Sequence, residues 1–95
     1  AVIISKKIQT KLLGKHNVTK KEVTECFFNR DRTALKDSRE EHQTDPPTLW
    51  IIAKTNHCRA LKLLFVVNDG DVILKSAFEP NHNEVDMYDR YSRHL

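Results

Sequence analysis

A chain of 95 residues, 39% hydrophobic and 31% charged, has room for one domain (residues 1–95) around one modest core. The hydrophobic fraction excludes a disordered chain, and two glycines with three prolines exclude a low-complexity one. The net charge of +3 divides unevenly: residues 1–21 hold six lysines and no acid, for +6, while residues 22–95 carry −3. That asymmetry points to a polyanion at the N-terminal end, with a solvated helix face as the competing reading.

Ser5 is the N-cap of a first predicted helix running to Leu13, with Gly14 as its stop. Ile4, Ile8 and Leu12 recur every fourth residue as an apolar stripe, and Lys7, Lys11 and Lys15 form a basic stripe beside it. A second helix starts at the capping box Thr19-x-x-Glu22, with Val18 and Val23 as a hydrophobic staple. Val23 and Phe27 face the core, and Asn29 ends the helix. Thr33–Lys36 reads as a short strand, and 37–42 as a charged loop. Asp45-Pro46-Pro47 blocks any helix ahead of the next strand.

From Thr48 the pattern turns to strands. Thr48–Lys54, Arg59–Val67 and Val72–Phe78 are predicted strands, joined by a turn at 55–58 and by the hairpin loop Asn68-Asp69-Gly70-Asp71. Asn81, with Glu84 three residues on, opens a last helix whose apolar face is Val85, Tyr88 and Tyr91. The expected class is α+β: two N-terminal helices and a C-terminal helix packed on a small antiparallel sheet. Alternation puts Leu61, Leu63, Phe65 and Val67 on the helix-covered face. Lys62 and Lys75 share the more polar face, near Trp50, unless a one-residue slip separates them.

The longest apolar stretches, 49–53 and 63–67, fall far short of the ~20 residues that span a bilayer. Ile8, Leu12 and Leu13 are interleaved with lysines, which excludes a signal-type apolar region. Cys26 and Cys58 stand apart with no C-x-x-C, so a cytoplasmic protein with reduced thiols and no membrane partner is expected.

Five histidines invite a metal site, but no H-E-x-x-H, cysteine pair or carboxylate sits at a ligand-like offset, so no metal and no cofactor is expected. Ser38 and His42 lack a nucleophile elbow, and two glycines cannot build a phosphate loop. RNA cleavage needs fewer parts: a base for the 2′-hydroxyl, an acid for the leaving oxygen, and cations for the pentavalent phosphorane. Lys15, His16, Arg39, His42, Arg59, Lys62 and Lys75 are groups of the right chemistry, and composition does not choose among them.

Lys11-x-x-x-Lys15-His16-x-Val18-Thr19, running into Glu22-Val23-x-Glu25-x-Phe27, resembles the start of the BrnT family. The loop with Asp37, Arg39 and Glu40, the Leu63-Leu64 strand, and Ser76-Ala77 leading to a helix with Glu84 and Tyr88 extend the similarity along most of the chain. Asn17 stands where that family has glycine, and Phe78 where it has a basic residue. The resemblance implies a RelE-like fold and an endoribonuclease toxin of a bacterial type II toxin–antitoxin pair. A ribbon-helix-helix antitoxin encoded nearby would neutralise it, in a hetero-oligomer or with the toxin as a dimer. On this reading Lys15, His16, Arg39 and His42 are catalytic, and Lys7, Lys11, Arg59, Lys62 and Lys75 bind RNA. Two other readings stand beside it: a non-catalytic nucleic-acid-binding module using the +6 segment, and an interaction protein with a folded partner.

Overall fold

A computed structural model of the chain describes residues 1–39 and 44–95. The order of elements is β1 (Val2–Ile3), α1 (Lys6–Lys11), a π-helical turn (Leu12–His16), α2 (Lys20–Asn29), β2 (Leu35–Lys36), β3 (Leu49–Lys54), β4 (Ala60–Asn68), β5 (Asp71–Phe78) and α3 (His82–Tyr91). Among the described residues, the five strands form one sheet in the order β1-β5-β4-β3-β2. The fold is α+β, but the sheet is mixed rather than antiparallel, because β1 pairs with β5 in parallel through Val2–Val72 and Ile3–Ile73. Two residues carry no alternation to read, and their partner lies about 70 positions away, so local pattern gave no sign of β1.

The helix caps act as their residue types dictate. Ser5 Oγ accepts from the Ile8 amide at 3.2 Å. Thr19–Glu22 and Asn81–Glu84 are both complete capping boxes, each side chain accepting from the other residue's amide. The end of the first helix is different from the expected stop at Gly14. The regular helix closes at Lys11, and the chain continues as a π turn to His16. It ends at Asn17, which adopts φ 54° while the Val18 amide reaches back to the Leu12 carbonyl at 3.1 Å. Asparagine tolerates this left-handed conformation better than most residues, which makes Asn17, not Gly14, the terminator.

The core lies between the sheet and its helices. Val23, Cys26, Leu61, Leu63 and Ala77 are fully buried, and the rings of Phe27 (α2) and Phe65 (β4) meet edge to face at 5.1 Å. That contact puts α2 on the Leu61–Leu63–Phe65 face of the sheet. The Trp50–Tyr88 ring contact, at 5.4 Å, puts α3 on the opposite face. The central strand is therefore buried on both sides, Leu64 and Val66 included, while Val67 at the hairpin end is exposed. Tyr91 also stands out into solvent at 63% exposure, so the working apolar face of α3 is Tyr88 with half-buried Val85.

Two backbone irregularities decide what the sheet displays. Asp69 and Gly70 both have positive φ, the requirement of a two-residue hairpin that fits the strand twist, and this sets Asn68 opposite Asp71. Further along, Leu64 pairs with Ser76 but Phe65 pairs with Leu74, leaving Lys75 as the extra residue of a bulge. Continued from the hairpin, an unbroken ladder would set Lys75 opposite Leu64 and turn Ser76 to the core face opposite Leu63. The bulge keeps Ser76 opposite Leu64 and gives the core position to Ala77.

Candidate functional site

A cleft of about 380 Å³ opens where the end of the π turn meets β5 and the loop after β2. Lys11, Lys15 and His16 enter it from the first helical segment, Lys75 from the bulge, and Arg39 from the loop. Leu64 and Phe78 give it an apolar wall, and the hydroxyls of Thr44, Thr48 and Ser76 add polar lining. Three lysines, one arginine and one histidine drawn from three separate chain segments thus face one cavity that, among the described residues, no carboxylate lines.

The i, i+4 spacing explains the first contribution: Lys11 and Lys15 lie one above the other along the helical segment. His16 follows at the last position before the Asn17 corner. Its ring lies 5.6 Å from that of Phe78, tilted by 39°. Burial, then the positive fields of Lys15 and Lys11, pull the His16 imidazole below its usual pKa. It is therefore a neutral proton acceptor at physiological pH, set among cations.

The corner is braced from behind by Arg59. Its guanidinium donates to the Asn17 carbonyl at 2.8 Å and to the His16 carbonyl at 3.2 Å. The same group pairs with Glu22 at 3.0 Å and approaches Glu79 at 3.9 Å. Glu22 thereby closes its own helix cap and anchors the arginine that holds the corner. Arg39 is oriented by the buried carboxylate of Asp37, with Nε to Oδ1 at 3.1 Å and Nη2 to Oδ2 at 2.8 Å. The Asp37 amide in turn donates to the Thr48 carbonyl at 2.8 Å, which ties the start of the loop to β3.

The sequence-predicted residues thus divide. Lys11, Lys15, His16, Arg39 and Lys75 come together in the cleft. Lys7 is exposed on α1 and does not line it. Arg59 serves the corner's backbone. Lys62 is only 6% exposed, lies 4.4 Å from the Trp50 ring centroid, and donates to Glu84 at 2.6 Å. It pins α3 to the sheet instead of facing the cleft, and its neighbourhood with Trp50 agrees with the strand alternation. His42 lies outside the described residues. The lining that sequence reasoning did not single out is Thr44, Thr48 and Leu64. Leu64 carried no signal, because an apolar residue mid-strand reads as core.

Among the described residues, no group of three or more His, Cys, Asp or Glu is placed to hold a metal ion, and no helix is long and apolar enough to cross a membrane. Cys26 is buried and Cys58 exposed, both as free thiols. Burial pushes the Cys26 thiol up to about 12, which leaves it inert. No family model, curated protein or solved structure matches the chain.

Proposed function

We propose that this chain is an endoribonuclease, the toxin of a bacterial type II toxin–antitoxin pair, BrnT-like in sequence and RelE-like in fold, working in the cytoplasm. The observation that carries the reading is the convergence of Lys11, Lys15, His16, Arg39 and Lys75 on one cleft around a histidine of lowered pKa. His16 takes the proton of a ribose 2′-hydroxyl as its oxygen attacks the adjacent phosphorus. The P–O5′ bond breaks, leaving a 2′,3′-cyclic phosphate, and a rim ammonium gives the 5′ oxygen its proton. Lys15, Lys75 and Arg39 stabilise the charge that builds on the phosphorane. The proton-transfer groups are imidazole and ammonium, so the chemistry asks for no metal ligand. His42, three residues after Arg39 in the sequence and outside the described residues, completes the proposed catalytic set. A ribbon-helix-helix antitoxin encoded nearby, meeting the acidic outer side of α3 (Asp86, Asp89), keeps the activity in check.

The test is cleavage of RNA by the purified chain against His16→Ala and Lys15→Ala of matched folding, with growth followed on induction. Cleavage that falls in both variants, together with slowed growth, supports the reading. RNA that is bound in low salt and never cut would make the chain a binding module. Unbound, intact RNA with normal growth would overturn both.

A further inference from the structure

The cleft is not uniformly basic. Its cations stand at the rim, where Lys11, Lys15 and Lys75 are exposed, while the interior carries buried Leu64 and the half-buried ring of Phe78 beside His16. The Phe78 ring packs in part on the core, with the Lys62 ammonium 5.8 Å from its centroid, and its exposed remainder is in unfavourable contact with solvent. A volume of about 380 Å³ is at the small end of ligand pockets and suits one nucleotide rather than a duplex. In a duplex the base faces are stacked on one another and closed to a side chain, whereas an unpaired base offers its π-face to an aromatic ring.

Resting on the RNA reading above, we propose that Phe78 forms a base-stacking subsite, so that the cleft takes one unpaired nucleotide with its base on Phe78 and its phosphates on the Lys11–Lys15–Lys75 rim. Phe78 is then a specificity-determining residue, selecting single-stranded RNA. The arrangement follows from β5 itself. Beyond the bulge Ser76 and Phe78 fall on the cleft side while Ala77 turns into the core at 0% exposure, so one strand supplies both a rim cation and the aromatic wall.

The experiment compares three probes of equal length that cannot be cleaved: a short single-stranded 2′-O-methyl RNA, its abasic backbone, and its duplex. The wild type should bind the single strand about 5- to 150-fold more tightly than the abasic strand. It should prefer the single strand over the duplex as well. Phe78→Leu, which keeps apolar bulk and so the fold, should bring the ratio to the abasic strand close to one without weakening abasic binding. Phe78→Trp should retain it. Single and abasic strands bound equally by the wild type would overturn the stacking subsite and leave the RNA reading standing. A ratio that survives Phe78→Leu would place the base elsewhere and overturn it too. Failure to bind any probe in low salt would remove the RNA reading and this inference together.

Discussion

His16 is where sequence, geometry and charge meet most closely. Its pKa is lowered by burial and by Lys15 and Lys11, so it stays neutral to a lower pH than an ordinary histidine. As the proposed general base it would work only when neutral, so cleavage should be lost as pH falls through its pKa. The acidic limb of kcat/KM should therefore lie below 6.5, and a pH profile of cleavage will locate it. His16→Ala should lower the rate by about 10²- to 10⁴-fold and abolish that limb. Lys11 lines the cleft and is exposed, so its proposed part is through charge at the rim. Lys11→Ala should weaken single-strand binding and reduce the slope of log K against log salt by about 0.7, measured by titration at several salt concentrations. A Lys11 variant with an unchanged slope would show that this lysine touches no phosphate.

Between elements, two ion pairs hold helices where the cleft needs them. Arg59 joins the Asn17 corner, α2 and β4, and it acts as a fork with several donors in fixed directions. Arg59→Lys should therefore fail to restore what Arg59→Ala removes. Either change should lower stability by about 1–3 kcal/mol and reduce cleavage, since the His16 carbonyl loses its brace. Lys62 and Glu84 form the second pair, with side chains 8% and 21% exposed. Glu84→Gln preserves a capping residue on α3 but leaves the Lys62 ammonium buried without its anion, which should cost about 3 kcal/mol. Adding Lys62→Met should recover much of that loss, as urea midpoints of the two singles and the double will show. If the double is as unstable as Glu84→Gln alone, the pair's charge is not what holds α3.

For the molecule as a whole, the radius of gyration of 12.5 Å matches the roughly 12 Å of a single compact body of this length. Its acid stability follows from the same groups. Burial raises the carboxyls of Glu22 and Glu84. The amide bonds from Thr19 and Asn81, with Arg59 and Lys62, outweigh it and hold both below the usual 4.5. Carboxyls lowered in the folded state give stability that is complete above about pH 4.5 and lost as pH falls through the folded values. Lowered His16 adds an earlier, smaller loss that begins below 6.5. Unfolding free energy measured in urea should be flat from pH 6.5 up to about 9, where ionisation of Cys26 in the unfolded chain begins to lower it, sag slightly below 6.5, and drop more steeply below 4.5. Glu22→Gln combined with Glu84→Gln should flatten the last drop.

What the sequence by itself determined is local. Capping boxes at Thr19–Glu22 and Asn81–Glu84, the Ser5 cap, the Asp69-Gly70 hairpin and the strand alternation each depend on residues within a few positions of one another. The class α+β and the common face of Lys11 and Lys15 follow from those short-range rules, whereas His16 is singled out by the family resemblance. Tertiary structure alone decided the rest. The parallel pairing of β1 joins residues 70 positions apart, and the π turn moved the end of the first helix from Gly14 to Asn17. The bulge set Ser76 rather than Ala77 toward the cleft, and the helix packed above drew Lys62 to Glu84 while Lys75 stayed exposed at the cleft, although both lysines read alike in sequence. The physical reason is that a strand's pattern fixes which residues alternate, whereas register, bulges and the helix packed above fix which of them meets solvent and which meets a partner.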